Sequence, residues 1–148
     1  MDWALIFRGV NLAALIAWAL LILAPRWPAL LSALLYLVVG GLCALYAVLL
    51  ISVLTGVLPA GNGGADFTTI EGIRSIFSSD VGVVIGWTHY LAFDLFVGLW
   101  IARDADAKFF ARWLQAPVLL ATFMAGPLGL VIWLVVREPR ARAKGRFS

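Results

Sequence analysis

Charge is what this 148-residue sequence has least of: 13% of its residues are charged, against 64% hydrophobic. A soluble domain carries about 25% charged and about 45–50% apolar residues. So little polar surface cannot cover a water-soluble globule of this size. That excludes a cytosolic enzyme domain, a disordered linker and a nucleic-acid-binding module. The net charge is +3, but the basic residues flank apolar runs, so the expected partner is the lipid bilayer and no nucleic acid. Cysteine is nearly absent too. The lone Cys43 lies inside an apolar run, which excludes an intramolecular disulfide and a Cys-based zinc or iron–sulfur site. The lone His89 cannot build a three- or four-ligand zinc site, and it could hold haem only with a second ligand from outside the chain. No metal and no cofactor is expected. Walker, Rossmann and GxSxG patterns are absent.

What the sequence does have is length in apolar runs. A membrane-crossing helix needs about 20 mainly apolar residues, and four stretches qualify: residues 3–24, 29–58, 81–102 and 114–136. The first is closed by Pro25-Arg26-Trp27-Pro28, and it lacks the basic start and cleavage site of a signal peptide. The second has no charge for 30 residues, so it must tilt or protrude. Ser78-Ser79-Asp80 caps the third, and Gly126-Pro127 kinks the fourth near its middle. The expectation is an all-α polytopic membrane protein of one domain, residues 1–148, with four transmembrane helices. A short interfacial helix over 68–78 is predicted from the spacing of Phe67, Ile70, Ile73 and Ile76, opposite Glu71 and Arg74. Thr68 with Glu71 reads as its capping box. Such a helix is a membrane float or a lid over a lateral entrance. Residues 137–148 form a basic tail.

Four crossings put both termini on one side. That side holds Arg8, Arg74, Arg137, Arg140, Arg142, Lys144 and Arg146; the other holds Arg26, Arg103, Lys108 and Arg112. The excess predicts both termini in the cytoplasm.

Three spans are generic Leu, Ala and Val. The third reads GWTHYLAFDLFVGLW from Gly86 to Trp100, with the only acidic residue at membrane depth. A carboxylate there costs about 2.5–3.5 kcal/mol on insertion scales, so Asp94 must face a partner, a pocket or a ligand. Two roles stay open: a structural hydrogen bond to another helix, with Asn11, Thr122 or Arg8 as candidates, or a catalytic or binding role. Gly82, Gly86, Tyr90, Asp94 and Gly98 follow at i+4 steps, so Tyr90 can share a hydrogen bond with Asp94. Gly82 and Gly86 form a GxxxG unit, which lets another helix, or a second copy of the chain, approach closely. His89 lies about 140° from Asp94 around the axis, and both could border one cavity. Trp87, Phe93, Phe96 and Trp100 supply aromatic faces for a flat apolar ligand.

The block WTHYLAFDLFVG, with APVLLATFMAGPLGLVIWLVVR after it, resembles the neoxanthin-synthase, or abscisic-acid-deficiency, family of four-span membrane proteins. The resemblance covers residues 77–137. It implies a role in xanthophyll metabolism, with a carotenoid ligand and, where the chain is an enzyme, an intramolecular isomerisation of an epoxide to an allene. That reaction needs an acid at the epoxide oxygen and a base at the adjacent polyene. Asp94 and His89, with Tyr90, are the candidate catalytic groups. No plastid transit-peptide pattern is visible, which predicts a bacterial inner-membrane member. Two other classes remain: a small proton-coupled transporter or channel using Asp94, and a non-catalytic membrane scaffold.

Overall fold

A computed structural model describes residues 1–59, 66 and 68–144. Among them there are only helices and connections: α1 (Trp3–Leu23), α2 (Pro28–Leu54), α3 (Ile70–Ile76), α4 (Asp80–Ala107), α5 (Arg112–Met124) and α6 (Gly126–Lys144). The glycine-rich stretch 60–65, Phe67 and residues 145–148 lie outside the described residues.

Among the described residues, three helices are long and apolar enough to cross a membrane: α1, α2 and α4. Asp2 opens α1 by accepting from the Leu5 amide at 3.0 Å. Ala24, forced into extended backbone before Pro25, ends it. Pro28 starts α2 in the first turn, where its missing N–H is no loss. A π-helical stretch, Leu34–Val39, interrupts α2. The helix stops at Leu54, short of the expected residue 58, because Gly56 at φ 75° turns the chain out of it. Ser79 caps α4 as expected, accepting from the Gly82 amide at 3.2 Å.

Two expectations are corrected. The cap of α3 is Thr69, which accepts from Gly72 at 3.1 Å, and not Thr68 with Glu71. Thr68 instead donates its amide and hydroxyl to Asp66, and these bonds, with that of Thr69, hold the Asp66 carboxyl below the usual carboxylate range. The helix is correspondingly shorter than the predicted 68–78.

The larger correction concerns residues 114–136. They are not one kinked helix. The chain breaks at Ala125 (φ −156°, ψ 84°), because Pro127 has no amide to offer Phe123 and is tolerated only in a new first turn. α6 then runs back beside α5. Both outer ends of this hairpin sit at one end of the molecule. Arg112, at the start of α5, donates to the Ile22 and Ala24 carbonyls at the end of α1. Late in α6, Arg137 reaches Asp104 at the end of α4 at 2.7 Å, and Arg140 donates to the Phe109 carbonyl. The arithmetic agrees. Gly126 abuts Asp94 and Arg137 meets Asp104, so eleven residues of α6 rise beside ten of α4, about 15 Å each.

The core follows this plan. Around the hairpin, Trp18, Leu21, Leu95, Leu99, Leu119 and Trp133 pack into one cluster. At the other end, Leu49, Val81, Val84 and Ile85 unite only α2 and α4, with Trp3 and Phe7 of α1 against them. Gly98 is needed for this packing, since a Cβ there would strike the Trp18 ring.

Candidate functional site

Asp94 is buried, 8% exposed, on the face of α4 that meets the hairpin tip. A Cβ built on Gly126 would collide with its carboxylate, so only glycine permits this approach. The polar groups facing the carboxylate are the Tyr90 hydroxyl and the Gly126 backbone amide. Oδ2 has no hydrogen-bond partner among the described residues. A helix N-terminus carries orphan N–H groups and partial positive charge. The Ala125 methyl cannot cap α6, and the Asp94 carboxylate, delivered by a different helix, faces the Gly126 amide where a cap would.

The broken ends also account for Tyr90. Its hydroxyl donates to the Met124 carbonyl, one of the last of α5, at 3.4 Å. Tyr90 stacks on Trp87, with ring centroids 5.4 Å apart, and the Trp87 indole donates to Asn11 at 3.0 Å. Asn11 in turn donates to the Phe7 carbonyl at 2.6 Å. These residues wall an apolar groove of about 560 Å³ between α1, α4 and the hairpin tip, with Leu15, Phe123 and Met124 opposite. Asp94 does not line this groove; it meets the hydroxyl of Tyr90, which does.

The other sequence candidates lie elsewhere. Neither Asn11 nor Thr122 bonds to Asp94: Asn11 holds Trp87, and the Thr122 hydroxyl donates to Val118 in its own helix. Arg8 lines the outer part of the 560 Å³ groove. His89 is exposed on another face, stacked on Phe93 at 4.6 Å and near Tyr46 at 5.2 Å. It lines a second groove, of about 240 Å³, between α2, α3 and α4. The two residues do not border one cavity. Phe93, Phe96 and Trp100 point outward, so no aromatic ring encloses Asp94. The GxxxG face is covered from within the chain: the Ile76 carbonyl lies against Gly82 and the Phe77 ring against Gly86. No group of three potential metal ligands occurs among the described residues.

A family model for ABA DEFICIENT 4-like proteins matches residues 5–133. The chain belongs to that family. The match spans the site and both helices of the hairpin as far as Trp133, well beyond the block 77–137 on which the resemblance rests at its N-terminal side. No curated protein and no solved structure matches.

Sequence reasoning missed one buried cluster. Asp104 accepts from Lys108 at 2.9 Å, Arg137 at 2.7 and 2.9 Å, and the Trp133 indole at 3.0 Å. The i,i+4 spacing of Asp104 and Lys108 was its only local signal.

The tip geometry makes a direct prediction. In Gly126→Ala the new methyl occupies the carboxylate position, and Asp94 must rotate away. The variant should fold, as judged by its circular dichroism, yet lose whatever activity Asp94→Asn loses. Combining the two substitutions should cost no more than either alone. Additive losses would show that Gly126 acts independently of the carboxylate.

Proposed function

We propose that this protein modifies an oxygenated polyene of the xanthophyll type by intramolecular isomerisation, with Asp94 and Tyr90 as the proton-handling pair. The observation that carries this reading is a buried carboxylate with an unpartnered oxygen, meeting the hydroxyl of the tyrosine that walls a lipid-facing apolar groove. An elongated apolar ligand would enter that groove from the bilayer.

The chemistry needs no redox partner. Tyr90 gives a proton to the epoxide oxygen and is reprotonated by Asp94 in its acid form. The C–O bond breaks, the polyene loses one C–H proton, and Tyr90 takes it as its own hydroxyl proton returns to the Asp94 carboxylate. One proton enters the substrate and one leaves, so the acid is regenerated. The partial positive charge at the start of α6 favours the carboxylate stage. His89 lies in the other groove and takes no part in this sequence. The first test is pigment chromatography of a host that supplies an epoxy-xanthophyll. Asp94→Asn should abolish conversion, and Tyr90→Phe should lower it by about 10²–10⁴, with unchanged circular dichroism. Undiminished product from Asp94→Asn overturns the catalytic reading, and a coloured polyene retained by that variant would leave carotenoid binding as the function.

A second reading, a proton-coupled transporter, draws on the helix break itself. Discontinuous helices with their ends at mid-membrane are a transporter device. Proton-driven flux into proteoliposomes, lost in Asp94→Asn, would favour it over the isomerase.

The membrane arrangement we propose has three crossings, α1, α2 and α4, and a re-entrant α5–α6 hairpin. The α3 helix lies at the interface. At the hairpin's end of the molecule are seven described basic side chains: Arg26, Arg103, Lys108, Arg112, Arg137, Arg140 and Arg142. The opposite end has Arg8 and Arg74. Seven against two supports the hairpin end in the cytoplasm and the N-terminus across the membrane.

A further inference from the structure

At the basic end, away from Asp94, a polar cleft of about 360 Å³ opens between the α1–α2 turn and α4, lined by Arg26, Ser32, Tyr36 and Arg103 with Leu31 and Leu35. Arg26 is rigidly built. Its side chain is 4% exposed and is held by the Leu21 and Ala102 carbonyls, Asp106 and Gln115 through Nε and Nη1. Its Nη2 makes no hydrogen bond among the described residues. Arg103 is exposed and has no hydrogen bond or ion pair among them. Arg112 adds a third positive charge near Arg26, against the single carboxylate of Asp106. Cations in apolar surroundings need a counter-ion, and two guanidiniums lining one cleft suit the oxygens of a phosphate.

The cleft does not end at the arginines. Leu31, Leu35 and Arg103 also line a smaller depression, about 70 Å³, that continues along α4 to Leu99, Trp100 and Phe96. One wall of both is the π-helical turn of α2, a device frequent at functional sites. We propose that this cleft binds one anionic phospholipid, with its phosphate on Arg26 and Arg103 and an acyl chain along Leu35, Leu99 and Trp100. The apolar continuation is what selects a lipid over a free phosphate. It also gives the outward Phe96 and Trp100 a function independent of Asp94.

Native mass spectrometry of the full chain in detergent tests this, because no membrane surface is then present to attract lipid non-specifically. With phosphatidylglycerol added, one lipid should remain bound, and with phosphatidylcholine none. Arg103→Gln should weaken phosphatidylglycerol retention about tenfold, the value of one charge-assisted contact. Arg142→Gln, at the same end but outside the cleft, should change it less than twofold. Arg103 has no partner to lose, so its variant should melt like the unaltered protein. Equal retention in Arg103→Gln, or equal loss in both variants, would overturn the proposal. Displacement by millimolar glycerol 1-phosphate would assign the cleft to free phosphate and overturn it as well.

Discussion

Asp104→Ala should lower the stability of the protein by about 3–5 kcal/mol, the usual loss when one partner of a buried ion pair is removed. In a chain of this size that is a fall in Tm on the order of 10 °C. The size follows from what the carboxylate holds. It lies between Lys108, 1% exposed, and Arg137, 7% exposed, and it also accepts the Trp133 indole. Without it two buried cations lose the carboxylate that lies between them. The ion pair joins α4 to the far end of α6, so its loss releases the hairpin as well as a local contact. Asp104→Asn keeps the shape and removes the charge, and should lose most of the same stability. Removing all three charges, as in Asp104→Leu with Lys108→Met and Arg137→Met, should recover much of it, since apolar side chains of similar volume can replace a buried ion triad. Detergent melting curves followed by circular dichroism measure all three. A change within 1 °C for Asp104→Ala would mean that other contacts hold the hairpin, among them the packing of Leu119 and Trp133 with Trp18 and Leu95.

The three long helices were legible in the sequence because a bilayer leaves few choices: about 20 apolar residues, proline or glycine at the ends, and a serine cap. Asp94 was legible for the same reason, since a carboxylate in lipid demands a partner. Tyr90, four residues before it, was legible as one partner; the partner from another helix was not. Asn11 and Thr122 sit at plausible depth, but the group that meets Asp94 is a backbone, exposed where Pro127 breaks the helix. Glycine followed by proline cannot say by itself whether a helix bends or reverses. That is decided by Arg137 finding Asp104, 33 residues earlier, and by Trp133 packing on Phe110. The residues 114–136 are apolar enough for a crossing because half-helices in lipid obey the same composition rule as whole ones. The placement of His89 depended on which side α3 and Tyr46 cover, which no spacing within α4 reveals.

The proposed re-entrant arrangement has an all-or-none consequence. In a Cys43→Ser background, Ser78→Cys and Ala143→Cys place single thiols at exposed positions at opposite ends of the molecule. With three crossings, a membrane-impermeant maleimide should label only Ser78→Cys in sealed right-side-out vesicles, and only Ala143→Cys in inverted ones. Detergent should expose both. With four crossings the connection before α4 and the C-terminal tail would share one side, and the two thiols would be labelled or protected together. The basic residues explain why the sequence alone favours the second pattern. Arg26, Arg103, Lys108 and Arg112 count against Arg137, Arg140 and Arg142 only if the chain crosses after Arg112. Once Arg137 returns to Asp104 and Arg140 to Phe109, all seven lie together, and a marginal bias becomes a strong one. The same return sets the depth of the site. In the proposed arrangement a hairpin of about 18 Å per arm brings its helix ends near mid-membrane, beside Asp94 of α4.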